Sequence, residues 1–313
     1  MPDHSHSLAI VSRETGIAAS LIEKDYWVAH CLWVLHEPGL ELWFKGDISL
    51  SKGFGLIRRF SEDLDLMVQL GAVTSLPPVA DWTSNNKGPL AACRAYYDVL
   101  RPAAFVISGV TIETDARHHD KQARGLNLIG RYPGFLLDQI APTMSPFVRF
   151  EIGRARVVPY VTAPITAFVH DQLVRQGQLA DYTDNRPRAI RRVHPLVTLI
   201  GKFDALSRKY AQDIIEPDGF VRHYEDAVHI IHAASRLPII EQSARALAED
   251  MLREKDIVAL PRPGEPALVL DDVGRRADIE RAFERIAPMF RGSRIPLNQA
   301  CAAIIEWVRV TFA

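Results

Sequence analysis

The sequence is poor in the features that staple, anchor or export a protein. Its 313 residues include three cysteines, Cys31, Cys93 and Cys301, far apart and without a C-x-x-C spacing. A disulfide framework or zinc knuckle is therefore not expected, and a reducing cytosol fits. No run of 18 apolar residues occurs, so no transmembrane helix is expected. The opening MPDHSHSLAI lacks a basic stretch followed by an apolar one, so it does not read as a signal peptide. A cytoplasmic protein with no membrane partner is the expectation. Charge of one sign is also lacking, with 37 Lys and Arg against 38 Asp and Glu. Binding to nucleic acid must then come from local patches. There is no internal repeat, no low-complexity tract and no G-x-S-x-G, so a hydrolase reading gains nothing. What remains is an ordinary globular mix, 48% hydrophobic and 24% charged, long enough for about two domains.

Periodicity supplies a coarse layout. SLIEKDYWVAHCLWVLHE starts with Ser20 and has Glu23 three positions on, a capping box, and predicts a helix over about 20–36. LELWFKG ending at Gly46 reads as a strand, SLSKGFGLIRRF as a short helix weakened by Gly53 and Gly55, and SEDLDLMVQL as a second strand. A turn-rich loop follows, then a helix over 89–101. AAFVISGVTIETD and FVRFEIGRARVV read as further strands with a polar loop, HHDKQARG, between them. Around Pro159–Asp184 the pattern is irregular, and a soft domain boundary falls between 165 and 190. From His194 onward the apolar spacing is helical. The expected class is α+β: a mixed β-sheet with helices over 1–180, then a helical domain over 181–313.

The chemistry gathers in FKGDISLSKGFGLIRRFSEDLDLMV. Residues two apart on a strand share a face, so Asp63 and Asp65 point the same way and repel unless a cation lies between them. Magnesium, held by one or two carboxylates and by substrate phosphates, suits such a pair. A solvated strand edge is the alternative. Gly46 closes a strand and opens a helix, where backbone N–H groups cradle anions and Ser49 and Lys52 add donors. Plain turn chemistry is the alternative there. Glu151, between Phe150 and Ile152, offers a third carboxylate, or else a solvent-facing residue paired with Arg149 or Arg154. Arg186, Arg188, Arg191, Arg192, Arg208 and Lys209 line an RNA backbone or solubilise a linker. His118, His119 and Asp120 read as loop rather than metal ligands, and His229 and His232 as packing or pairing residues on a helix.

The order G-x-x-S, D-x-D, then a carboxylate on a later strand, resembles the DNA polymerase β-like nucleotidyltransferases. EKDYWVAHCLWVL, FKGDISLSKGFGLIRRFSEDLDL, LIGKFDALSRK and FVRHYEDAVHI are similar to the AbiEii/AbiGii-type nucleotidyltransferase toxins, which include the MenT-like toxins. The resemblance spans roughly residues 20–235 and is most specific over 44–66. It implies a polymerase β-like core and a helical C-terminal domain completing the active-site cleft. It implies that Asp63 and Asp65, with Glu151, bind Mg and act in catalysis. Gly46, Asp47, Ser49 and Lys52 would form the nucleotide-binding turn. Lys202 would reach the nucleotide phosphates, Asp226 would match the aspartate at the end of the core, and His223 would orient Asp226.

The implied activity is transfer of a nucleotide from an NTP to an RNA acceptor, the tRNA 3′ end, by a toxin with a cognate antitoxin in a toxin–antitoxin or phage-defence pair. Two features depart from the pattern. Asp47 and Ile48 stand where the family reads G-G-T-S or G-S, placing a negative charge near the phosphates and removing a hydroxyl. Gly201 stands where glutamate is common, at a helix cost of about 1 kcal/mol relative to alanine. The departures leave open a catalytically weakened nucleotide- or protein-binding module of the same fold, and the metal site leaves open a phosphotransferase acting on a protein hydroxyl.

Overall fold

The computed structural model describes residues 5–36, 42–59, 63–68, 76–82, 84–116, 124–140, 144–290 and 292–312. His118, His119 and Asp120 lie outside these residues, as do Ser61 and Glu62 of SEDLDL. The chain forms two compact units. One comprises Met1–Gly53, Ser61–Val157 and Thr162–Arg192, the other Phe54–Phe60, Val158–Val161 and Val193–Ala313.

The described strands are β1 (Leu42–Lys45), β2 (Asp63–Val68), β3 (Thr111–Thr114), β4 (Gly125–Arg131), β5 (Val148–Gly153), β6 (Tyr160–Ala163) and β7 (Ile190–Val193). They form one mixed sheet in the order β3-β4-β5-β2-β1-β7-β6. The central pair β2–β5 is parallel, and β1–β2, β3–β4 and β4–β5 are antiparallel. Helices Ala19–His36 and Lys87–Ala104 belong to the first unit. Its core joins Trp27, Leu32, Phe44, Leu64, Leu66 and Phe150, all almost fully buried. The architecture is the expected α+β one.

The Ala19–His36 helix begins before Ser20, so the capping box is not formed. Ser20 instead donates to the Gln139 carbonyl at 3.2 Å, and Glu23 accepts the N–H groups of Phe135 and Leu136 at 2.8 and 3.0 Å. Lys24 donates to the Ser145 carbonyl at 2.8 Å. These three buried polar side chains fix loops by satisfying backbone groups that burial would otherwise leave orphaned. The region read as irregular holds β6 and a helix, Phe168–Arg175. The AAFV segment is helical through Ala104 rather than strand, leaving β3 only Thr111–Thr114.

The second unit is mostly helical. Its principal helices are Pro195–Tyr210, Arg222–His232, Ala244–Arg253, Val273–Arg285 and Leu297–Phe312. Val197, Phe203, Tyr224, Leu247, Ile279 and Ile304 are buried in it, and the Tyr224 hydroxyl donates to the Ala267 carbonyl at 2.6 Å. Among the described residues, no helix is long and apolar enough to cross a membrane.

Candidate active site

Strand alternation sorts the side chains of the central sheet. On β2, Leu64 and Leu66 enter the core while Asp63 and Asp65 face the other way, half-buried. On β5, Val148, Phe150 and Ile152 are buried, and Arg149 and Glu151 take the opposite face. The parallel register sets Asp63 beside Arg149 and Asp65 beside Glu151. The antiparallel neighbours set Lys45 beside Asp65 and Asn127 beside Glu151. Asn127, Glu151, Asp65 and Lys45 therefore form one row across four strands, about 4.8 Å from strand to strand.

This row is electrostatically crowded. Burial pushes the Asp65 carboxyl well above its ordinary range, and the negative charges of Glu151, Asp47 and Asp63 push it further. Lys45 opposes them. Arg149 donates to Asp63 at 3.0 Å and to Asp115 at 3.1 Å, so one guanidinium ties two acids.

The turn after β1 presses against the same carboxylates. Gly46 has φ +77°, and a Cβ placed on it would lie 1.8 Å from Asp65 Oδ2. Only glycine meets both demands. One α-turn, Gly46–Ile48, leads into a π-helical turn, Ser49–Gly53. The short helix read at SLSKGFGLIRRF thus starts earlier and stops at Gly53. Asp47 is 8% exposed and Ser49 2%, and the Ser49 hydroxyl has no hydrogen-bond partner. Ile48 belongs to the hydrophobic core, so no hydroxyl is missing from the site at that position. The Lys52 ammonium is held by Asp25 and lies 5.8 Å from the centre of the Phe168 ring. Asp25 also accepts the Phe168 N–H at 2.9 Å.

Lys202 and Asp226 belong to the second unit. Lys202 Nζ donates to Asp226 at 2.9 Å and lies 3.2 Å from His223 Nδ1. His223 thus meets the lysine that bonds Asp226. Arg59 forms a bidentate pair with Asp226 at 2.9 and 2.8 Å. Asp226 is fully buried, and Arg59 and Lys202 nearly so.

A family model described as the nucleotidyl transferase AbiEii toxin of type IV toxin–antitoxin systems matches residues 31–305. The chain belongs to the AbiEii family. Membership implies a nucleotidyltransferase toxin with an antitoxin partner. Comparison with curated proteins and with solved structures gives no match.

In this AbiEii chain the oxygen-only, anionic donor set fits a hard divalent cation, because a positive charge would relieve the crowding that raises Asp65. Among the described residues, no three His, Cys, Asp or Glu converge as a ready metal cage. The basic segment is engaged locally. Arg186 and Arg188 bond Asp184, Arg191 stacks on Trp43, Arg192 donates to the Gly53 carbonyl, Arg208 pairs with Asp204, and Lys209 donates to the Gly219 carbonyl. Sequence reasoning missed Lys45 and Asp25 in the first unit and Arg59 in the second, and it offered Arg149 only as a partner of Glu151, whereas Arg149 bonds Asp63 and Asp115. Lys45 adjoins Gly46 and Arg59 precedes the D-x-D segment, but only the fold reveals their partners.

Proposed function

We propose that this protein is a metal-dependent nucleotidyltransferase that moves a nucleotide from an NTP to the 3′ end of a tRNA, acting in the cytoplasm as the toxin of its pair. The reading rests above all on the shared face and register of Asp63, Asp65 and Glu151. A bound magnesium ion would supply positive charge that links these carboxylates to the substrate phosphates and offsets charge developing at the α-phosphorus. Asp63 and Asp65 would hold it, with Glu151 beside Asp65. The unpartnered Ser49 hydroxyl suits a phosphate oxygen, and Gly46 lets the turn lie against the carboxylates. A carboxylate of the row takes the proton of the acceptor hydroxyl. The acceptor oxygen bonds to the α-phosphorus as the bond to pyrophosphate breaks.

The test is incubation of purified protein with each α-labelled NTP, magnesium and total tRNA. Label should enter RNA with wild-type protein and be lost with Asp63→Ala. Equal labelling by both proteins, or none by either, sinks the reading.

Asp47 favours a second reading. Its buried carboxylate adds to the crowding at Asp65, as expected of a catalytically weakened binding module. Calorimetry showing NTP binding without turnover, and turnover restored by Asp47→Gly, would select it.

A further inference from the structure

The helix Arg222–His232 carries two stripes of functional side chains. His223 and Asp226, three apart, serve the buried cluster with Lys202 and Arg59. Glu225, His229 and His232 follow at intervals of four and three, so they share a different face. This second stripe lines a cavity of about 300 Å³ inside the second unit, together with Arg58, Arg236 and Arg294.

The cavity is cationic by construction. Its one acid, Glu225, is 1% exposed and already spent, accepting Arg294 Nε at 2.7 Å and the Ile295 N–H at 3.2 Å. Arg294 is pinned between the Phe283 and Phe290 rings, 4.1 Å from each centre. Its Nη1 donates to the Phe283 carbonyl at 3.0 Å, while its Nη2 is buried without a partner. Arg58 and Arg236 are exposed and have no acidic partner among the described residues. Three guanidiniums and two imidazoles thus face a single, already paired carboxylate.

We propose that this cavity binds a phosphate group, supplied by an RNA backbone or by a free nucleotide. Guanidinium forks match phosphate oxygens in pairs, and rings that hold one fork in place lower the cost of ordering it. The two stripes divide the helix between an internal ion cluster and an anion-binding surface. Only the RNA source rests on the proposed transfer to RNA.

The test measures binding in an Asp63→Asn background, which removes turnover. A fluorescent single-stranded RNA and an NTP are titrated separately, with and without Arg58→Gln/Arg236→Gln. The expected result is a loss of about tenfold or more in one titration, as for charge-assisted hydrogen bonds. If RNA is the source, its log K against log salt also becomes shallower by about 1.4, from two lost contacts at about 0.7 each. If the nucleotide is the source, only the NTP titration changes. Exposed His232→Gln gives an independent variant should the double one fold poorly. The proposal is overturned if well-folded variants stay within twofold of the parent in both titrations. It is also overturned if Arg245→Gln/Arg253→Gln, outside the cavity, weakens binding equally. Absence of transfer by the Asp63-containing protein, with this binding intact, counts against nucleotide transfer alone.

Discussion

Gly46→Ala tests the coupling between the turn and the metal-facing strand. The substitution forces an L-residue to keep φ +77°, at a cost of about 1–2 kcal/mol. Its Cβ would sit 1.8 Å from Asp65 Oδ2 and 2.6 Å from Cγ, so the carboxylate must retreat by about 1 Å or leave its rotamer, adding roughly 0.5–1.5 kcal/mol. The sum is about 1.5–3.5 kcal/mol, a fall in Tm of about 2–5 °C at this size. Displacing a reacting group by about 1 Å costs on the order of 100-fold in rate. Gly16→Ala is the internal control, because Gly16 has φ +70° and open space where a Cβ would go. It should show the backbone cost alone and leave transfer unchanged. Calorimetry reads the stability and single-turnover labelling reads the rate. Adding Asp65→Ala to Gly46→Ala should recover the excess destabilisation. If Gly46→Ala matches Gly16→Ala in both measurements, the contact with Asp65 does not constrain the site.

Three further outcomes follow from the same geometry. The Asp65 carboxyl is raised in the folded state above its ordinary 3.8, so its ionisation opposes folding as pH rises through 3.8 towards the folded value. Asp65→Asn should therefore raise Tm at pH 7 but not at pH 3, while abolishing transfer; a lower Tm at pH 7 refutes the crowding. Ser49→Ala removes a buried hydroxyl with no partner, so Tm should hold or rise, by up to about 1–3 kcal/mol in stability, while NTP affinity falls. Loss of stability with unchanged NTP affinity would make Ser49 structural. Arg59→Met leaves the fully buried Asp226 with Lys202 and should cost about 3–5 kcal/mol in urea unfolding; a change below about 1 kcal/mol contradicts a buried ion cluster.

The central elements were legible because their patterns are local. Alternation in DLDLMV separates Asp63 and Asp65 from Leu64 and Leu66 without reference to a partner strand. The same holds for Glu151 between Phe150 and Ile152. Elements set by distant partners were not legible. Ser20 and Glu23 have the spacing of a capping box, yet tertiary hydrogen bonds claim both side chains. Lys52 sits in the turn that suggested a phosphate donor, but Asp25, far off in sequence, holds it. The basic run from Arg186 to Arg192, open to an RNA-groove or a linker reading, makes contacts with Asp184, Trp43 and a backbone carbonyl that its composition does not disclose. Ile48, which looked like a lost hydroxyl in the phosphate turn, is a core residue because one helical turn carries its side chain inward while leaving Asp47 beside the carboxylates.

The register of β2 explains why the turn and the carboxylates cannot vary independently. Antiparallel pairing puts Lys45 opposite Asp65, so the next residue, Gly46, necessarily begins the turn against the Asp65 side chain. Parallel pairing puts Glu151 on the other side of Asp65. A slip of β2 by one residue would break both relations and turn Asp63 and Asp65 into the core. Leu64 and Leu66, 0% and 2% exposed, oppose that slip, since each would lose about 1.5–3 kcal/mol of burial while two carboxylates became desolvated. The hydrophobic half of the D-x-D strand therefore fixes the position of its charged half. The crowding at Asp65 is the electrostatic cost of that fixed position.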